Sequence, residues 1–318
     1  MHKKLEQLVE EIENIRETPN PVKRSWIESS KRIGLDRKEP IVEFGLMMSQ
    51  FPDLVKSHNP YHNHFHTADV VTSASFLAEE EFKGGKLKEY GPILLFSMLC
   101  HDISHTGKNN EFDYHLEKQA VQSMNDYVLN HFEMISFWNN KVSKDFGEWS
   151  DFSSKVEAII LGTDFKNGPK INLENYKNNS SYLSRLKLLA NEADILPSCI
   201  SSLGPKLGVE LGLEQKNPRV GSWVGREFFM KELAKFGSEA SYNLGVMDHV
   251  NSQLKIISKY GATKLDEDSR DGNFMYIADK IHYQSTSVLR SKFDFSVALS
   301  LRDMFINGSL TGLKNTLR

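Results

Sequence analysis

Apolar residues recur at three- and four-residue spacings through most of this 318-residue chain, and that period admits helices and little else. The pattern is explicit in LEQLVEEIENI, IVEFGLMMSQF, ADVVTSASFLAEEEF, GPILLFSMLCHDI, KVEAIILGTDF, YLSRLKLLANEADIL, VGREFFMKELAKFG and MDHVNSQLKIISKYG, whereas strand-like alternation is scarce. Gly, Pro, Asn, Asp and Ser cluster over 18–21, 166–180, 204–221 and 265–272, which predicts loops there. No fixed-period repeat, low-complexity tract or shift in composition divides the chain. The expectation is a compact all-α domain over residues 41–318, ending in helices over 273–318 and preceded by a helical lead-in over residues 1–40.

Charge narrows the possible ligands. With 39 Lys and Arg against 42 Asp and Glu, the net charge is −3, and there is no basic block or aromatic-interleaved Lys/Arg stripe to track a nucleic-acid strand. A small anionic ligand would need a local cation instead. The two cysteines, Cys100 and Cys199, stand in apolar or motif-rich segments, which argues against a disulfide framework and for a reducing compartment. No stretch approaches the ~18 consecutive apolar residues of a membrane span, and the N-terminal MHKKLEQLVEEIENIRE reads as a charged amphipathic helix. A cytoplasmic protein is expected.

Several polar residues stand where an apolar chain has no use for them. In YHNHFHTADVV, His62 and His66 are four apart, on one face of a predicted helix, while His64 falls on the opposite face and reads as a packing or surface histidine. The run ILLFSMLC leads into His101-Asp102-Ile103-Ser104-His105, so a carboxylate is predicted at the end of a buried helix, where desolvation costs several kcal/mol unless a partner compensates. Asp194 repeats this: RLKLLANEAD carries an apolar face up to a carboxylate flanked by Ile195, Leu196 and Pro197. A divalent cation is the economical partner for such a set. Imidazole with carboxylate suits zinc, and a carboxylate shared with water suits magnesium or manganese. Such a pair lowers the pKa of water toward neutrality and makes a nucleophile for phosphorus.

At these residues the sequence resembles the catalytic domain of class I cyclic-nucleotide phosphodiesterases, a fold of the HD-domain type. Tyr61 to Val70 is similar to the YHNxxHxxDV motif, and HDISHTGKNNEF, His101 to Phe112, to HDxxHxGxxNxF. Weaker likenesses follow in order: Leu116-Glu117, Gly162-Thr163-Asp164-Phe165, Ala193-Asp194, Glu227-Phe228-Phe229 and Ser252-Gln253. The resemblance implies a small-molecule substrate, cyclic AMP or cyclic GMP, and a two-metal centre. His66, His101, Asp102 and Asp194 would bind zinc, and Asp102 would bridge to magnesium or manganese. His105, Glu117 and Thr163 would hold that second ion's waters. It further implies His62 as general acid, Tyr61 beside the phosphate, Asn110 in the pocket, Gln253 as the amide that meets the purine edge, and Ile256 with Phe165 as apolar walls.

This chain departs from the pattern at Lys118-Gln119, where the family has Asn-His-His, at Ile195 to Ser198, where it has Leu-Ser-Asn-Pro, and at Ile256, where it has an aromatic clamp. An amide has a donor end and an acceptor end, so Gln253 leaves cyclic AMP and cyclic GMP both open. Two rival readings are another HD-type phosphohydrolase and a homologue that binds nucleotide without cleaving it. Assays with cyclic AMP, nitrophenyl phosphate and a deoxynucleoside triphosphate separate the first, and binding without turnover would favour the second.

Overall fold

The computed structural model describes residues 2–178, 181–217 and 219–261, leaving aside the side chains of residues 223 and 256–261. The loop expected over 265–272, the helices over 273–318 and the side chain of Ile256 lie outside the described residues. Among the described residues every regular element is a helix, as the apolar period predicts.

The helix His64–Glu81 is the axis of the fold. It is buried along almost its whole length, because Ala68, Ser73, Ala74, Ser75 and Ala78 let neighbours approach from all sides. Helices Lys3–Arg16, Pro21–Arg32, Gly85–Cys100, Tyr182–Cys199 and Glu239–Asn243 pack around it. The hydroxyls this requires in the core are largely satisfied: Ser25 Oγ donates to Ala68 O at 2.7 Å, and Thr72 Oγ1 donates to the same carbonyl at 2.8 Å. Phe44, Phe96, Trp138, Trp149 and Phe152 form an aromatic cluster beside helix Gly85–Cys100.

The start of the axial helix corrects one expectation. Asn63 is its N-cap, with its side-chain oxygen accepting from Phe65 N and His66 N. His62 therefore lies in the turn before the helix, not on one helical face with His66. The two rings still meet, with centroids 5.6 Å apart, because the capping turn folds His62 back.

Three more expectations change. Helices Gly168–Asn178 and Gly204–Glu214 occupy segments predicted as loops. Each opens with Gly-Pro, and proline in the first helical turn sacrifices only an N–H that has no intrahelical acceptor, so the pair starts these helices instead of breaking them. Asp194 lies within its helix, which runs on through Pro197 to Cys199. The segment VGREFFMKELAKFG divides into helix Trp223–Phe228 and a π turn, Phe229–Leu233.

The N-terminal helix is fixed to the axis by a buried ion pair. Arg16 Nε donates to both carboxylate oxygens of Asp69, at 2.9 and 3.0 Å, and its Nη2 donates to Oδ2. The Asp69 side chain is fully buried and that of Arg16 nearly so. Removing one partner leaves a charge without compensation, so Arg16→Met should cost about 3–5 kcal/mol, whereas combining Arg16→Met with Asp69→Leu should recover much of it. Urea unfolding of the single and double variants tests this, and additive losses would mean the pair does not act as a unit.

Candidate active site

Three helical segments bring the donors together. His66 lies in the first turn of the axial helix, His101 caps the C-terminus of Gly85–Cys100 with Asp102 next to it, and Asp194 comes from Tyr182–Cys199. His66 Nε2 stands 3.0 Å from Asp194 Oδ1 and 3.3 Å from Asp102 Oδ2, and His101 Nε2 stands 3.1 Å from Asp102 Oδ2 and 3.6 Å from Asp194 Oδ1. The imidazoles are buried, and the carboxylates open partly toward a cavity of about 570 Å³.

These atoms are close but misaligned for hydrogen bonding: His66 Nε2, His101 Nε2 and Asp102 Oδ2 are shielded from solvent and make no hydrogen bond. Lone pairs that converge on a common point without bonding one another are what a cation requires, so the residues fit a divalent ion. His101 Nδ1 lies 2.7 Å from Met98 O, which fixes the proton on Nδ1 and frees Nε2 as a ligand.

Charge makes the same case. Burial alone would lower the histidines, but Asp102 and Asp194 outweigh it, holding His66 up at about 9 and His101 well above its ordinary value. Burial would likewise raise the two acids, yet the imidazoles hold both well below the usual carboxylate range.

A second group adjoins the first, with donor atoms of His62, Asp102 and His105 within 4.8 Å of one another. The His62 and His105 rings stack at 3.7 Å. Gly107 N donates to His105 Nδ1 at 3.0 Å, so the ring proton of neutral His105 resides on Nε2, suited to holding a water. Burial, then the neighbouring His62, lowers His105 to about 4 and keeps it neutral.

His62 Nδ1 contacts Glu214 Oε1, and Glu214 Oε2 accepts from Tyr61 N at 2.9 Å and His62 N at 3.0 Å. Burial would raise the Glu214 carboxyl, but these bonds hold it low and charged. Sequence reading misses Glu214, although it ends the apolar segment LGVELGLE. The criterion that singles out Asp194, an acid on an apolar helix, would find it. Tyr61 is buried against His66, ring to ring at 4.7 Å, and its hydroxyl meets Ser198 Oγ at 3.0 Å.

The outlying residues divide. Thr163, Phe165, Asn110 and Glu117 all line the cavity. Asn110 Nδ2 donates to Glu117 Oε2 and to Asp164 Oδ2, both at 3.0 Å, so it braces the wall. Burial pushes the Glu117 carboxyl up, with Asn110 opposing. Asp164, given no role by the sequence reading, accepts from Tyr114 N, Lys166 N and Asn167 N and ties two loop segments together. Gln253 departs from expectation: it is 2% exposed and does not line the cavity. Its Oε1 accepts from Arg226 Nη2 at 2.6 Å and its Nε2 donates to Cys199 O at 2.7 Å, which occupies both ends of the amide inside the protein. Arg226 stands at the cavity wall instead.

Among the described residues, buried imidazoles and carboxylates from a helical body converge at one side of a cavity, a donor set that could hold a divalent metal ion. Residues 61–193 match the family described as 3'5'-cyclic nucleotide phosphodiesterase. Among curated proteins, the chain is 30% identical over 119 residues to the probable 3',5'-cyclic phosphodiesterase pde-1 of Caenorhabditis elegans, covering 34% of this chain and 18% of that protein. It is 28% identical over 142 residues to the 3',5'-cyclic-nucleotide phosphodiesterase regA of Dictyostelium discoideum, covering 41% and 18%. A third relative, 3',5'-cyclic-AMP phosphodiesterase 4 of the same organism, is 36% identical over 121 residues, covering 34% and 11%. The chain thus spans less than a fifth of the length of these relatives. The family implies dependence on a divalent metal.

The raised histidines set a pH dependence for chelated protein. Between their ordinary value of 6.5 and the folded value of about 9 for His66, the folded state holds protons that the unfolded state releases. Their contribution is complete below pH 6.5 and is lost as pH rises through about 9. Thermal unfolding of EDTA-treated protein should show a midpoint that falls across this interval and a shallower fall in His66→Ala. A midpoint constant from pH 6.5 to 9 would contradict the protonated cluster.

Proposed function

We propose that the chain is a 3',5'-cyclic-nucleotide phosphodiesterase that converts cyclic AMP, cyclic GMP or both to the 5'-nucleoside monophosphate. The observation that carries this reading is the convergence of His66 Nε2, His101 Nε2, Asp102 Oδ2 and Asp194 Oδ1 beside a separate histidine, His62, whose Nδ1 is held by Glu214. His66, His101, Asp102 and Asp194 would hold zinc, and Asp102 would also serve magnesium or manganese. When bound, the ions supply positive charge to the phosphoryl group and acidify water.

The remaining work falls to side chains. Glu214 orients the His62 ring through Nδ1, and Nε2–H would pass a proton to the O3' leaving oxygen. His105, with its proton on Nε2, Glu117 and Thr163 would hold water around a second ion. Tyr61, kept neutral by burial and by the charge of Asp194, lies beside the phosphate. Phe165 and neighbouring apolar residues flank the base. The buried free cysteines Cys100 and Cys199 support a cytoplasmic setting. No helix among the described residues is long and apolar enough to cross a membrane.

Hydrolysis of both cyclic nucleotides should be assayed with zinc and magnesium and after exhaustive chelation, which should abolish it. His66→Ala should lose metal, whereas His62→Ala should retain it and lose turnover by about 10²–10⁴-fold. Asp102→Asn should be the most damaging carboxylate change. Elemental analysis beside the kinetics decides: equal metal loss in the two histidine variants would make His62 a ligand, and full activity without metal would end the phosphodiesterase reading.

A further inference from the structure

Arg226 carries a positive charge into a shielded place, without a carboxylate partner among the described residues. Its Nη1 donates to Ser198 O at 3.1 Å, and its Nη2 donates to Gln253 Oε1 at 2.6 Å and to Ile200 O at 3.4 Å. These acceptors are all neutral. Its Nε is shielded from solvent and has no acceptor among the described residues, and Nη1 keeps a second N–H. Burial lowers the guanidinium to about 10, and only the Cys199 thiol opposes this. Such a group ordinarily takes an anion or a strong acceptor as partner.

Space has been made for this side chain. A Cβ on Gly204 would fall 2.2 Å from Arg226 Nη1 and 2.2 Å from Ser198 O, so only glycine at 204 admits the guanidinium where it lies. Arg226 lines the cavity among Ile195, Pro205, Leu207 and Phe229, an apolar slot suited to a flat ring. The slot is linked to the metal cluster by way of Ser198, whose carbonyl meets Arg226 and whose hydroxyl meets Tyr61, itself packed on His66.

We propose that Arg226 is the specificity-determining residue of this cavity and that it selects guanine over adenine by donating the second N–H of Nη1 to O6. This rests on the phosphodiesterase reading for the kind of ligand, and on the structure for the choice of base. Guanidinium is donor-only, and Gln253, engaged at both ends, offers no balancing amide. Guanine presents the acceptor O6 at the position where adenine would put an N6 amino donor against a donor. Cyclic GMP is therefore the preferred substrate, and GMP the better-bound product.

Calorimetric titration of the full chain with GMP, AMP and IMP tests the choice of base without any turnover. GMP should bind about ten- to a hundredfold more tightly than AMP. IMP, which retains O6 but lacks the 2-amino group, should follow GMP. Arg226→Gln should bring the three within about threefold of one another, and should lower the cyclic GMP to cyclic AMP ratio of kcat/KM by the same factor that it lowers the binding ratio. Equal binding of GMP and AMP by the unaltered protein, binding of neither, or IMP behaving like AMP would each overturn the proposal, even if Arg226→Gln fails to fold. A variant that weakens all three ligands equally would show that Arg226 only braces Ser198, Ile200 and Gln253, which also overturns it. Discrimination between GMP and AMP without hydrolysis of either cyclic nucleotide would sink the catalytic reading and leave this one standing.

Discussion

Two imidazoles and two carboxylates cannot be set among apolar helices unless they neutralise one another or share a cation, and the fold is arranged around that constraint. His66 and His101 are almost wholly buried, and their charge state is governed by Asp102 and Asp194. The small residues of the axial helix admit both Gly85–Cys100 and Tyr182–Cys199 at close range, and this brings donors from three segments within 3.0–3.6 Å. Helix ends provide the aim: Asn63 sets where the first helix starts, and His101 both closes the second and uses its last turn to choose its own tautomer.

The cluster is legible in the sequence for the same reason that it is costly in the structure. A charged residue at the end of a run such as ILLFSMLC conflicts with its surroundings, and the conflict can be read without coordinates. Glu214 meets the same criterion, but the Gly and Pro residues around it make its segment read as a loop, and an acid in a loop calls for no partner. The Gly-Pro pairs at 168–169 and 204–205 mislead in a related way. These residue types punctuate a chain, but whether they end one helix or begin the next depends on which N–H groups lack acceptors, a property of the folded neighbourhood.

Gln253 shows a different limit. The spacing of Ser252-Gln253 fixes its position on a helix, but the role of an amide depends on what faces it, and Arg226 and Cys199 O arrive from elsewhere in the chain. The capping turn at Asn63 belongs to the same category. The i, i+4 spacing of His62 and His66 suggests one helical face, yet they meet because the chain folds back just before the helix begins.

The Arg16–Asp69 pair has a mechanical side. Asp69 is three residues beyond His66 on the axial helix, so helix Lys3–Arg16 grips the polypeptide one turn from a candidate ligand. Force applied along that N-terminal helix would travel through a rigid two-oxygen clasp and a single helical turn, with no loop between to absorb it. Lys3–Arg16 is thus a strut, clasped to the axial helix one turn from His66.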